Sequence, residues 1–339
     1  MGGKTVTYYE QQCSREKREV YTALLRGVSA VEPAVRVPLL SAEDMSEVYT
    51  RLRLDHPEIF YLTGFHIRYV PGAENGEFVP EYLFDKGKIL THRQAIRTRV
   101  ERLTREIKGK PEAEKILFLH RFITENVRYD KLKKPYSHEV IGPLTQGVGV
   151  CEGIAKAVKL LADALGVACI VALSAPEEGK RYGHAWNLVK RGGKWYHMDV
   201  TFDLSLSCCG ETRWDYCMLG DAQICRDHAT PIYAVPACTD SGSFRYKEQK
   251  LSFTKEEELT KRIAQTIRRK NPRFVFHWRG GCLTRETLER LSGCITAAAE
   301  AAGKHVKIVL NRQQAVFLLL FSDAEENAEL LMETAPETE

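Results

Sequence analysis

Apolar and polar residues follow two repeat patterns along this chain of 339 residues. Positions such as Met45, Val48 and Leu52 recur at the spacing of one helix face, in a helix that starts at Ser41 and is ended by Pro57. Shorter apolar runs between turn-forming residues indicate strands. The other predicted helices outside the middle of the chain are 12–30, 88–108, 112–128, 254–269 and 284–302. The strands predicted there are 35–38, 59–70, 77–84, 274–278, 306–311 and 315–321.

The order helix, strand, helix, strand, strand occurs at both ends of the chain, either through shared ancestry or through coincidence of common elements. Pro236 and the run 240–243 interrupt the pattern before the second occurrence. We therefore predict an N-terminal α/β domain over 1–87, a central domain over 88–240, and a C-terminal α/β domain over 245–339 with an acidic tail.

The middle of the chain holds the candidate chemistry, beginning with a glycine-punctuated turn at 147–150 that ends at Cys151. A helix is predicted from Cys151 to the stop signal Gly166, with Lys156 and Lys159 lying off its apolar stripe. A thiol at a helix start lies near unpaired N–H groups and the positive end of the helix dipole, and both favour the nucleophilic thiolate. The stripe itself consists of Ile154, Val158, Leu161 and Leu165.

Three strands are predicted after this helix, over 167–173, 184–189 and 194–200. Gly192 and Gly193 form a strong two-residue turn signal between the last two strands. If they form the loop, Arg191 faces Lys194, and alternation along each strand puts four side chains on one face. These are His184, Trp186, Asp199 and Thr201. A three-residue loop without a bulge would instead separate the histidine from the aspartate.

We predict that Cys151, His184 and Asp199 form a catalytic triad. On neighbouring strands, His184 and Asp199 lie within reach as diagonal neighbours, roughly 7–8 Å apart between backbones. The carboxylate would orient the imidazole and stabilise its charged form, the imidazole would take the thiol proton, and the thiolate would attack a carbonyl. His197 is the competing imidazole, but it shares a strand with Asp199, so their side chains run parallel. We interpret it as a polar neighbour or a satisfied core histidine.

The other cysteines point to no metal centre or disulfide framework. The ten cysteines include no C-x-x-C pair, and most are expected to be reduced and buried, with Cys169 as an inert core residue. A looser group fits no usual zinc spacing, so we expect no metal there. That group consists of Cys208, Cys209, Cys217, Cys225 and His228.

Charge and hydropathy exclude several partners. There are 49 basic and 45 acidic residues, and this net charge of +4 is too small to favour nucleic acid. The longest apolar run, 315–321, is far shorter than the ~20 residues that cross a bilayer, so we expect no membrane association. Residues 1–10 lack the apolar core of a signal peptide, and we expect a cytoplasmic protein.

Three segments resemble the transglutaminase-like superfamily of bacterial type: GVCEGIA at 149–155, GHAWN at 183–187 and WYHMDVTFD at 195–203. They match, in order, a helix-opening cysteine, a histidine strand and an aspartate strand, although Val200 stands where a proline is common. The resemblance implies an α+β, papain-like core in which a helix packs on an antiparallel sheet. It also places Cys151 as nucleophile, His184 as base and the aspartate as the orienting carboxylate.

The family includes crosslinkers, thiol peptidases, deglycosylating amidases and noncatalytic members. The zinc-binding cysteine pairs of the deglycosylating branch are missing, and no D-x-[DN]-x-[DN]-G calcium loop occurs. We therefore predict cysteine-dependent acyl transfer on a peptide or protein amide through a thioester, without a cofactor, and we favour hydrolysis. Glutamine–amine crosslinking and a noncatalytic binding scaffold are the alternatives. The candidate side-chain donors to an oxyanion are Tyr129 and Gln146.

Overall fold

The computed structural model describes residues 7–176, 183–207, 211–280, 282–323 and 331–333. Helices and antiparallel sheets are mixed, as the α+β prediction requires. The helices are α1 Arg15–Ser29, α2 Ala42–Asp55, α3 Lys86–Thr104, α4 Glu112–Asn126, α5 Cys151–Leu165, α6 Val200–Leu206, α7 Asp221–Ile224, α8 Arg245–Glu248, α9 Glu256–Arg268 and α10 Arg285–Glu300. Short 3-10 turns at Glu10–Gln12 and Pro135–His138 and a π-turn at Gly142–Gln146 complete the helical segments of the described chain.

The strands form four sheets in the described residues. A three-stranded sheet has the order β1-β3-β2, a four-stranded sheet β6-β7-β8-β9, and a five-stranded sheet β10-β11-β13-β12-β14, while β4 pairs with β5. The strands are β1 Val35–Pro38, β2 Leu62–Arg68, β3 Asn75–Tyr82, β4 Arg128–Tyr129, β5 Val148–Gly149, β6 Cys169–Ser174, β7 His184–Arg191, β8 Lys194–Met198, β9 Cys217–Leu219, β10 Ser252–Phe253, β11 Arg273–Trp278, β12 His305–Asn311, β13 Val316–Ser322 and β14 Leu331–Glu333.

The four-stranded antiparallel sheet and helix α5 form the papain-like centre of the fold. The predicted hairpin register is correct, since Arg191 pairs with Lys194 and the ladder continues to Asn187 opposite Met198. Gly192 and Gly193 both have positive φ, as a type I′ turn requires. The predicted strand 194–200 is too long, because the chain turns into α6 after Met198. Thr201 therefore lies in α6 and not on the strand face.

Helix α5 is buried on almost every side. Its apolar stripe shares one core with α1, α2 and the three-stranded sheet, while β6 and β7 pack against its other side. Lys156 and Lys159, which lie off this stripe, are buried as well, since both are under 2% exposed. Each lysine keeps its charge compensated, as a buried ammonium requires. Lys159 Nζ lies 3.0 Å from Asp163 Oδ2.

Lys156 belongs to a buried ion network that ties α2 to α5. Its Nζ lies 2.8 Å from both Glu139 Oε1 and Glu152 Oε1. Arg53 of α2 contacts the same two carboxylates. The network therefore fixes the first turn of α5, where Glu152 follows Cys151, to the N-terminal region.

The C-terminal sheet is a layer between two cores. One of its faces packs against α9 and α10. Residues of its other face, including Val309, Val316 and Leu318, join the core that contains α5. The division into domains at 1–87, 88–240 and 245–339 stays a prediction. Most of the predicted acidic tail lies outside the described residues, apart from β14, which pairs in parallel with β12. Among the helices that the structure describes, none has the length and apolar character needed to cross a bilayer.

The ion network gives a stability prediction. Lys156→Ala removes the buried ammonium that lies between Glu139 and Glu152 and leaves Arg53 to both, with His138 3.8 Å from Glu152. Breaking such a group costs about 3–5 kcal/mol. We expect the free energy of unfolding in urea at pH 7 to fall by that amount. Arg97→Ala is the control, because this exposed α3 residue pairs only with exposed Glu101, and it should change stability by less than about 0.5 kcal/mol. Equal losses in the two variants would contradict the role given to the network.

Candidate active site

Cys151 is the first residue of α5, as predicted from the sequence, and it is partly exposed. Val150 occupies the N-cap and offers no side-chain acceptor to the first-turn N–H groups. These N–H groups can therefore bind an anion or a developing oxyanion. The turn itself requires small residues, because a Cβ on Gly153 would lie 2.1 Å from the carbonyl oxygen of Ser137.

The structure brings His184 and Asp199 together through a hydrogen bond. His184 Nε2 lies 2.6 Å from Asp199 Oδ2. Cys151 is near enough to His184 to contribute to the raised pKa of the ring. Since Nε2 faces the carboxylate, Nδ1 is the ring nitrogen left to face a sulfur. The structure thus brings the imidazole and the carboxylate into contact and places the thiol near the imidazole.

Two contacts set the distance between the helix and the histidine strand. Asn187 of β7 is buried, and its Nδ2 donates to the carbonyl oxygen of Ala155 in α5 at 2.9 Å. Strand β7 also pairs with β6, with His184 opposite Ser174. Because both elements are held along their length, the thiol and the imidazole face each other without needing a flexible side chain to bridge them.

Asp199 is fully buried at the junction of β8 and α6. Its Oδ1 accepts from the backbone N–H of Thr201 at 2.9 Å and of Phe202 at 3.1 Å, so the carboxylate is the N-cap of α6. Burial opposes the charged form, but contacts with His184 and His228 outweigh it and hold the Asp199 pKa far below its usual range. Asp199 is therefore a carboxylate at neutral pH.

The neighbouring carboxylate raises the pKa of His184 to about 10, against the opposing effect of burial, with a further contribution from Cys151. Such a histidine is an imidazolium at neutral pH, which is the form that stabilises a thiolate beside it. Aromatic rings enclose it, with Phe202 at 4.7 Å and Trp186 at 5.9 Å between ring centroids.

His197 is a satisfied core histidine, as predicted. Its Nδ1 accepts from the Trp186 indole N–H at 3.0 Å, so its proton is on Nε2, which lies 2.9 Å from Asp221 Oδ1. Burial lowers the pKa of His197, in keeping with a neutral ring. Its ring nitrogens pair with Trp186 and Asp221, and within the described part of the chain it has no hydrogen bond to Asp199.

Sequence reasoning missed His228 as a neighbour of the triad. This buried histidine places Nε2 2.8 Å from the same Asp199 oxygen that His184 uses. From the sequence, it was placed only in the loose cysteine group and was given no role. No periodicity or spacing could place a loop residue 29 positions away beside Asp199.

Two groups of donor atoms are close enough to hold a metal ion, with all atoms of each group within 4.8 Å of one another. The groups are His184, Asp199 and His228, and His197, Asp221 and Cys238. In both, the histidine Nε2 lies at hydrogen-bonding distance from a carboxylate and carries the proton that a metal would have to replace. We therefore interpret both as hydrogen-bonded clusters. Of the looser cysteine group, Cys208 and Cys209 lie outside the described residues.

Tyr129 is the better placed of the two candidate oxyanion donors. It lies on β4, paired with Gly149 just before the nucleophile. Burial raises its pKa to about 12, with contributions from Cys151 and Asp199 that indicate proximity to both. Gln146 is exposed, and its amide nitrogen contacts the neighbouring Thr145 hydroxyl.

Comparisons with known proteins agree with the resemblance seen in the sequence. A sequence model of the Transglutaminase-like superfamily matches residues 101–200, a range that includes Cys151, His184 and Asp199. No curated protein matches the chain. The region matched is thus similar to a class of cysteine-dependent enzymes with a papain-like centre, as the helix-on-sheet arrangement also indicates.

Solved structures give two more distant similarities. A structure of a TGase is 12% identical, with a TM-score of 0.28, over 49% of this chain and 50% of that chain. A candidate cysteine protease from Cytophaga hutchinsonii is 16% identical, with a TM-score of 0.27, over 41% of this chain and 61% of that chain. This chain therefore spans half to three-fifths of the length of these two structures.

The shifted His184 pKa predicts a pH-dependent stability. A group whose pKa rises on folding stabilises the folded state fully below its unfolded pKa, about 6.5 for histidine. That contribution is lost as pH rises toward the folded value of about 10. The difference in unfolding free energy between wild type and His184→Ala should therefore be largest near pH 6 and should shrink steadily up to pH 10.

Urea unfolding measured at half-unit pH steps checks this expectation. His66→Ala removes an exposed histidine of β2 and serves as the control, with a difference from wild type that stays within about 0.5 kcal/mol at each pH. A His184→Ala curve running parallel to wild type between pH 6.5 and 10 would show that the imidazole is not stabilised by Asp199.

Proposed function

We propose that this protein hydrolyses an amide bond in a peptide or protein through a Cys151 thioester. The observation that carries the proposal is the hydrogen-bonded His184–Asp199 pair, with Cys151 beside it at a helix start that has no side-chain cap. A cysteine that only fills space in the core does not require a charged histidine beside it, nor a helix start whose N–H groups lack a side-chain cap. The match to the Transglutaminase-like superfamily supports cysteine-dependent chemistry in general.

In the proposed reaction, Cys151 gives its proton to the neutral His184 ring at Nδ1, which forms the thiolate–imidazolium pair, and the thiolate of that pair attacks the amide carbonyl carbon. The resulting oxyanion would accept from the first-turn N–H groups of α5, with the Tyr129 hydroxyl nearby as a second donor. The C–N bond then breaks as His184 gives its proton to the leaving amine. Water, deprotonated by His184, attacks the thioester, and the acid product leaves as the thiol is restored.

Transamidation is the alternative outcome, in which an amine instead of water attacks the same thioester. The proposed first half-reaction is identical, so one experiment can separate the two. The enzyme is mixed with a proteolytic peptide mixture in H₂¹⁸O that contains a dansyl-labelled primary amine, and the products are read by mass spectrometry. We expect ¹⁸O in new carboxyl groups, whereas dansyl incorporation that excludes ¹⁸O would replace hydrolysis with transamidation.

The triad roles predict distinct defects in three variants. Cys151→Ala should abolish turnover. Asp199→Asn keeps the cap oxygen for α6 but cannot stabilise the imidazolium, so kcat should fall on the order of 10³–10⁴-fold. His184→Ala removes the imidazolium beside the thiol and should slow its alkylation by iodoacetamide at pH 6 about 100-fold.

Alkylation needs no substrate, so it also tests the noncatalytic scaffold. Cys225 is exposed and serves as the internal control in the same peptide map, because it lies outside the triad contacts. If Cys151 and Cys225 react alike at pH 6, and His184→Ala changes neither rate, Cys151 is an ordinary thiol and the scaffold interpretation replaces the enzyme.

A further inference from the structure

Asp199 has a second imidazole on the oxygen that faces His184. His228 Nε2 lies 2.8 Å from Asp199 Oδ2, beside His184 Nε2 at 2.6 Å. The ring of His228 also meets those of His184, Trp186, Phe202 and Tyr216 at centroid distances of 4.5–5.6 Å. This histidine is 4% exposed, and the proposed reaction does not use it directly.

The other nitrogen of His228 also faces a carboxylate. His228 Nδ1 lies 2.7 Å from Asp227 Oδ1. A carboxylate only accepts hydrogen bonds, so both ring nitrogens must carry protons for both contacts to form. His228 is therefore an imidazolium held between Asp199 and Asp227. Burial opposes its charge, and the two carboxylates raise its pKa despite that burial and the repulsion from His184.

Asp227 is in turn held from two sides. Its Oδ2 accepts from the Tyr216 hydroxyl at 2.6 Å and from Gln314 Nε2 at 3.2 Å. Gln314 lies in the turn between β12 and β13 and is 1% exposed. Gln314 Nε2 also donates to the carbonyl oxygen of Gln223 at 3.2 Å. The C-terminal sheet thus reaches the candidate triad through an unbroken series of buried hydrogen bonds.

We propose that His228 is a positioning residue for the triad, and that Gln314 makes the C-terminal sheet part of its support. The proposal rests on the proposed function of Cys151. The hydrogen bond from His228 fixes the orientation of the Asp199 carboxylate, and this holds Oδ2 in place for the hydrogen bond with His184. The positive charge of His228 also offsets the negative charge of Asp227, the second carboxylate in the site. Removing the His228 charge should therefore make a thiolate at Cys151 harder to form.

The titratable groups that face His228 are few in the described residues. They are Asp199 at the start of α6, His184 on β7, His197 on β8, Asp227 in its own loop and Tyr216 before β9. Loss of one positive charge among them should slow Cys151 alkylation at low pH, since a positive charge in the site favours the thiolate over the thiol.

The test follows Cys151 alkylation by iodoacetamide from pH 4 to 9 in the full chain, with a thermal melt of each variant. His228→Gln keeps an amide donor for Asp199 but removes the charge, and the half-maximal pH should rise by about one unit. Gln314→Ala should slow alkylation at pH 6 several-fold. Gln313→Ala is the matched control, because the neighbouring side chain is exposed and should leave the profile unchanged.

Two results would overturn the proposal. One is a wild-type alkylation profile in a folded His228→Gln protein. The other is an equal effect of Gln314→Ala and Gln313→Ala. If His228→Gln fails to fold, Tyr216→Phe takes its place, since it removes only the hydroxyl that holds Asp227, and an unchanged profile there also overturns the proposal. The proposed function fails separately, when His184→Ala itself leaves Cys151 alkylation unaltered.

Discussion

The buried carboxylate of Asp199 is the constraint on which the rest of the site depends. A charge taken fully out of water costs several kcal/mol unless its lone pairs find donors. Here one oxygen accepts from two backbone N–H groups of α6, and the other faces two imidazoles. The chain leaves strand β8 and enters α6 at this residue, and the helix start presents two N–H groups to one carboxylate oxygen. The orientation of His184 then follows from that of Asp199.

The nucleophile is held from the opposite side by different forces. Helix α5 is surrounded, so its two buried lysines can exist only where carboxylates compensate them. The compensation of Lys156 also involves Arg53, which makes the N-terminal region a structural partner of the first turn of α5. Asn187 then joins this helix to the histidine strand through a buried hydrogen bond. The distance between sulfur and imidazole is thus fixed by groups that touch neither reacting atom.

The sequence allowed the local parts of this arrangement to be predicted. Two adjacent glycines set the hairpin register, and the pairing of Arg191 with Lys194 follows from turn chemistry alone. The start of α5 at Cys151 follows from the glycine turn and the apolar stripe. Long-range features were not accessible. Periodicity showed only that Lys156 lies off the apolar stripe of α5. It carries no information on the elements that pack against the other sides of this helix. His228 is brought to Asp199 by tertiary packing, and no local pattern encodes that approach.

A count of charges explains why a second imidazolium suits the proposed chemistry. In the proposed thiolate–imidazolium pair, the charges of Cys151 and His184 cancel, as do those of Asp199 and His228, while Asp227 is held by Tyr216 and Gln314. After acylation the sulfur is neutral and His184 has given its proton away, so the net buried charge is unchanged. Without the charge on His228, two carboxylates would stand uncompensated at the thioester stage, and burial would favour keeping the proton on His184. A positive His228 therefore lets His184 release its proton to the leaving amine, which is the step that completes acylation.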